Sequence, residues 1–125
     1  MKEYEIDGKV FCLPEEEDEL IIAQSEDIAG FIKENVDIDK VFKSDGGIDI
    51  PRFLLSLGSK TSVILAILLT PKGVAYKDKN IDELADHFRY NFSFKKSVKI
   101  VSDFFIAQGL GDIIPVPQTK KQKKR

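Results

Sequence analysis

Apolar positions are scattered along this chain except at one place, Val63-Ile-Leu-Ala-Ile-Leu-Leu69, where seven follow without a break. Thr70-Pro-Lys-Gly73 comes next and stops any helix. Burying the six large aliphatics of that run contributes about 1.5–3 kcal/mol each before entropy is counted. Their sum rivals the net stability of an ordinary domain, so the segment must be enclosed. The pattern predicts the central helix of a compact body, or half of an interface between copies.

The remaining elements follow from shorter signals. Tyr4, Ile6, Val10 and Cys12 alternate with polar residues around Asp7-Gly8, which predicts a β-hairpin over about residues 3–13. Pro14 and the acids Glu15 to Glu19 predict the first turn of a helix running to about Asn35. Its expected buried face holds Ile21, Ile28 and Ile32, with Leu20 and Phe31 nearby. Residues 37–43 are read as one or two further turns, and Ser44-Asp-Gly-Gly47 as a loop. Asp49 and Pro51 make a cap and first-turn pair for a helix through Phe53, Leu54 and Leu57. Ser59 then either caps the apolar helix 60–69 or lies in the kink of one longer helix. Asn80-Ile-Asp-Glu83 approaches a capping box for a helix holding Leu84, Phe88 and Phe92. Ser93 or Asn91 caps the last helix, with Phe94, Val98, Val101 and Phe105 on one face and Gly109 as its stop. Residues 113–117 read as extended, and 118–125 as a disordered basic tail. The expected fold is mainly α, about five helices with a short N-terminal hairpin, in a compact single domain over residues 1–117.

Composition narrows the function classes. The chain has room for one domain with a real core. Its single cysteine, Cys12, excludes an internal disulfide and fits a reducing compartment. Met1 is followed by Lys2 and Glu3, not by an apolar stretch, and the longest apolar run is well short of the roughly 18 residues of a membrane span. A cytoplasmic protein with no membrane partner is expected. Charge is unevenly distributed: residues 1–50 carry five lysines against fifteen acids, whereas the last thirteen residues carry five basic groups and no acid. Such polarity suggests head-to-tail association, or one acidic and one basic partner surface, and together with the apolar central helix it makes a homo-oligomer the expectation.

Chemistry-bearing residues are few. One histidine and one cysteine make no zinc cluster of any usual spacing. A Cys12–His87 pair is the one nucleophilic arrangement left, against the plainer reading of His87 as a partly buried helix residue satisfied by a neighbour. Gly46-Gly47 lacks the Lys-Ser/Thr of a phosphate loop, and Asp37, Asp39, Asp45 and Asp49 do not follow the EF-hand order. Asp82 and Asp86 are the sort of carboxylate pair that any solvated acidic face carries. No catalytic, cofactor-binding or metal-binding residue is therefore assigned, and an enzyme is not expected. The tail Lys120-Lys-Gln-Lys-Lys-Arg125 lacks interleaved aromatics and sits on a chain of pI about 5.5, so it reads as solubilising before it reads as nucleic-acid binding. Phenylalanine is conspicuous: Phe92, Phe94, Phe104 and Phe105 fall within fourteen residues. Adjacent helical positions diverge by about 100°, so one core does not easily take both Phe104 and Phe105. These four are the candidate partner-binding residues.

The arrangement resembles the tail assembly chaperones of long-tailed bacteriophages and prophages. The resemblance lies in Phe53-Leu54-Leu55 through Ile64-Leu-Ala-Ile-Leu-Leu-Thr-Pro71, in Asp82-Glu-Leu-Ala-Asp86, and in Phe94 to Phe105 ending Val101-Ser-Asp-Phe-Phe105. It covers about residues 48–109 and, more loosely, the Asp-Gly hairpin. It implies a mostly helical, non-catalytic protein without cofactor. Such chaperones coat the hydrophobic tape measure protein and recruit tail tube subunits in the bacterial cytoplasm, and they are absent from the mature virion. The family often makes a longer product by programmed frameshifting near the end of the first reading frame. Lys120-Lys121 and Lys123-Lys124 are residues that adenine runs encode, as a slippery site requires. The competing expectation is a regulatory or nucleic-acid-associated helical module of a mobile element.

Overall fold

Asp7 and Gly8 both take left-handed backbone, at φ 54° and 77°, and the chain reverses on them. Two consecutive residues of that hand match the right-handed twist of the strands they join. The hairpin consists of β1 (Lys2–Ile6) and β2 (Lys9–Leu13), paired antiparallel with Tyr4 opposite Phe11. The computed structural model describes residues 1–37, 40 and 48–108. The turns expected over 37–43, the loop 44–47, the Gly109 stop, the extended 113–117 and the basic tail thus lie largely or wholly outside the described residues. A two-residue strand that sequence reading missed, β3 (Thr70–Pro71), adds to the far side of β2 and gives the order β1-β2-β3. The same Thr-Pro step that ends a helix here supplies an edge strand, and Lys72 N donates to Val10 O at 2.9 Å.

Five helical segments follow the hairpin: α1 (Ile22–Asn35), α2 (Ile50–Leu57), α3 (Thr61–Leu68), α4 (Ile81–Asn91) and α5 (Phe94–Gln108). The mainly α class with an N-terminal hairpin is what the sequence predicts. Two phases differ. Helix α1 starts at Ile22 rather than at Pro14, because Glu19 folds back and its carboxylate accepts from the N–H groups of Glu15 and Glu16, both at 2.9 Å. The acids therefore close a short turn ahead of the helix. The buried face becomes Gln24, Ile28 and Phe31, while Ile21 and Ile22 face solvent. In α5 the inward row is Ser97, Ile100, Val101 and Phe104, one step round from the expected Phe94-Val98-Val101-Phe105 row. Two supports set that rotation. Tyr4 and Lys2 of β1 bond to Asp103, and Phe53 of α2 packs on Phe105 at 5.9 Å between ring centroids.

The caps agree with the sequence in three cases. Asp49 accepts from Arg52 N, Asn80 from Glu83 N and Ser93 from Lys96 N, at 3.0–3.1 Å. Ser59 caps nothing. Helices α2 and α3 instead run as one kinked rod, the second of the two expected arrangements. Gly58 makes the kink at φ 57°, ψ −124°, and Thr61 Oγ1 ties it by donating to Leu54 O at 2.8 Å. That backbone region is open essentially only to glycine, and a Cβ there meets nothing within 4 Å. Gly58→Ala is accordingly expected to cost about 1–3 kcal/mol through backbone strain alone, read as a lower urea midpoint with unchanged slope.

The rod from Ile50 to Leu68 is 19 residues long and contains an 18-residue stretch of mean hydropathy 1.3, long and apolar enough by those measures to cross a membrane. The break at Gly58-Ser59-Lys60 hides this in the sequence. In the fold 39% of that stretch is buried, and the enclosed part is mostly its second half: α3 packs against α1, α2, α4 and α5, and Ile64 through Leu69 are all buried, whereas Leu55 on α2 is exposed. The carbonyls at the C-terminal end of α3 are satisfied from outside. Buried Gln24 of α1 donates to Ile67 O and Leu68 O, and the Lys79 ammonium donates to Ile67 O and Leu69 O at 3.0 Å. The negative end of the helix dipole favours a cation there, while burial opposes it.

Candidate docking cleft

A cleft of about 300 Å³ lies between the α2–α3 corner at Gly58 and the α4–α5 corner. Small residues make room for it: Ser62 of α3 and Ser97 of α5 line it where larger side chains would close it. Its floor is Leu54, Leu65 and Phe88, all buried. Phe92 stacks on Phe88 at 4.6 Å and forms one wall. Two large apolar side chains stand exposed at the lips, Leu55 at 69% and Phe94 at 44%. Arg89 is the single ionisable residue in the lining and makes no ion pair among the described residues.

Among the described residues the lining holds serine and threonine hydroxyls with no carboxylate or histidine beside them to act as a base. The volume is at the low end of ligand pockets, which run about 300–1,000 Å³, and suits one or two apolar side chains of a polypeptide.

The four phenylalanines singled out in the sequence separate into distinct places. Phe92 and Phe94 come together in the cleft. Phe104 is fully buried in the core and offers no surface to a partner, because α5 turns it inward with Ile100. Phe105 is half-buried against Phe53 and Phe104, on another side of α5 from the cleft. Sequence reading missed Leu55 and Arg89. Leu55 carries the same signal as Phe104-Phe105, since Leu54 and Leu55 are also adjacent helical positions that one core does not easily take together.

A second, wider hollow of about 790 Å³ lies between the hairpin, β3 and α4, lined by Phe11, Val74, Lys79, Glu83, Leu84 and His87 among others. His87 Nδ1 lies 3.3 Å from Asn91 Nδ2. The other ring nitrogen, Nε2, is buried with no hydrogen-bond partner among the described residues, and the ring lies beside Phe11. Strand alternation separates it from Cys12: Phe11 faces inward toward His87, so Cys12 faces the outer side of the sheet. The Cys12–His87 pair is not assembled. Burial raises the Cys12 thiol above its ordinary range, with the Glu3 carboxylate adding to the effect. Such a thiol is a poor nucleophile at neutral pH. Among the described residues no three His, Cys, Asp or Glu side chains converge as a metal site would require.

No protein-family model, no curated protein and no solved structure matches this chain.

Proposed function

We propose that the protein is a non-catalytic tail assembly chaperone of the long-tailed phage type, whose cleft holds an apolar stripe of the tape measure protein's helices. The observation that carries this reading is the pair of exposed lips, Leu55 and Phe94, over an apolar floor with Arg89 at the rim. An amphipathic helix anchors in such a groove through one or two large side chains. The Arg89 guanidinium favours a client helix with an acid beside its apolar anchors. The acidic first half of the chain keeps a complex with a greasy client soluble. Several copies along one long client agree with the expected homo-oligomer, and tail tube subunits are the second partner the resemblance supplies. The protein would act in the cytoplasm of the bacterial host and be absent from the virion.

Fluorescence anisotropy with labelled peptides from the apolar stripes of the tape measure protein tests the contact. Binding is expected to persist in high salt, and Phe94→Ala is expected to weaken it about tenfold. The competing reading, a phosphate-backbone binder, requires affinity for nucleic acid that falls steeply with salt. Peptide binding that is unchanged by Phe94→Ala would place the contact elsewhere.

A further inference from the structure

We infer that the outer edge of β1 is a strand-addition site for an extended segment that alternates basic and apolar residues. A two-residue turn makes Ile6 and Lys9 a hydrogen-bonded pair, and pairing then alternates, so Tyr4–Phe11 and Lys2–Leu13 are bonded pairs as well. The N–H and C=O groups of Glu3 and Glu5 therefore point away from β2. The opposite edge confirms the phase, because Val10, the partner of Glu5, points its carbonyl outward and accepts from Lys72 N. β1 is one of the two edge strands of this sheet, and among the described residues nothing bonds to its outer side.

The strand is held ready as a template. Ile6 is buried, and the Tyr4 hydroxyl donates to Asp103 Oδ2 at 2.7 Å while Lys2 Nζ donates to the same oxygen at 3.1 Å. These contacts fix β1 against α5, so an added strand has little ordering to do on this side. Charge selects the occupant. Glu5 has no ion pair among the described residues, and Glu3 is tied only to Lys72 across the sheet's outer face. A second copy pairing β1 with β1 about a two-fold axis at Tyr4 would set Glu3 opposite Glu5 twice, which like charges disfavour. A strand with lysine or arginine opposite Glu3 and Glu5 is attracted instead. Its intervening residue falls on the inner face beside the Tyr4 ring and should be apolar.

The experiment follows amide exchange by NMR on the labelled whole protein, with a peptide of about eight residues alternating lysine and valine and a glutamate–valine control. The lysine peptide should slow exchange at Glu3 and Glu5 about tenfold or more, leave Tyr4, already bonded to β2, unchanged, and bind more weakly as salt rises. The control peptide should do nothing. Glu5→Pro removes an outward N–H without touching the ladder to β2 and should abolish binding in a protein of unchanged circular dichroism. Glu5→Lys, which needs no backbone adjustment, should weaken the lysine peptide and favour the control. The inference is overturned by any of three results. The first is exchange at Glu3 and Glu5 already slow in the free protein. The second is protection that grows with protein concentration alone, which would assign the edge to a second copy. The third is lysine-peptide binding that is absent, or equal in both Glu5 variants and wild type.

Discussion

Replacing Phe104 by alanine is expected to lower the unfolding free energy by about 3–5 kcal/mol, a large part of the 5–15 kcal/mol that ordinary domains possess. The ring is fully buried on α5 beside Ile100 and Val101, and it touches Phe105. Removing it leaves a void that helices locked by Asp103 and Ser93 at either end cannot easily close. Phe94→Ala removes a ring of the same chemistry one helical stretch earlier, yet is expected to cost less than about 1 kcal/mol, because that ring is already 44% exposed. Urea denaturation of the two variants side by side checks both values. The contrast matters for function. It separates the phenylalanine that holds the fold from the one free to meet a client. Equal losses in the two variants would mean that the cleft lip is structural.

The second large effect is one of pH and comes from Lys79. Burial pushes its amine down to about 7 from an ordinary 10.5, against the opposing pull of Asp27 on α1. The amine sits 4.2 Å from the Tyr76 ring centroid, and the Tyr76 hydroxyl donates to Asp27 at 2.6 Å. Between pH 7 and 10.5 the unfolded chain holds a proton that the folded protein has released, so stability rises with pH across that window. Each unit of difference is worth about 1.4 kcal/mol, and water at the partly open side of the site screens the effect to a gain of about 1–3 kcal/mol. Above pH 10 the slope reverses. Burial raises the phenols of Tyr4 and Tyr76 above their ordinary value, with Asp103 and Asp27 adding to the effect, so the unfolded chain loses those protons first. Urea midpoints for wild type and Lys79→Met from pH 7 to 11 isolate the lysine. The rising limb is expected in wild type and absent from the variant, while the fall above pH 10 persists in both. A rise that survives Lys79→Met would assign it to another group.

How much of this was legible in the sequence depended on the range of the interaction. Local chemistry read well: Asp7-Gly8 made the hairpin, Asp49, Asn80 and Ser93 made caps, and the Val63–Leu69 run became the enclosed helix. These features need no knowledge of what lies across the fold. Long-range choices did not read. Nothing in the run Glu15–Glu19 says that Glu19 will fold back on two N–H groups and delay α1. The rotation of α5 is set by Tyr4, about a hundred positions away, through Asp103. Gln24 and Lys79 look like surface residues of their segments until the C-terminal carbonyls of α3 are seen to need donors. The cleft itself was half legible. Phe92 and Phe94 were in view, and Arg89 lies three positions before Phe92 on the same face of α4, but Leu55 comes from the α2–α3 corner and only the tertiary packing sets it across from them.

Co-expression with the tape measure protein is the most direct measurement of the claim that this cleft holds an apolar client. Soluble yield of the client should rise with the wild-type protein, the two should co-purify in high salt, and a Leu55→Glu/Phe94→Glu variant of unchanged stability should give neither result. A client equally insoluble with and without the wild type, or equally rescued by the variant, would contradict the account.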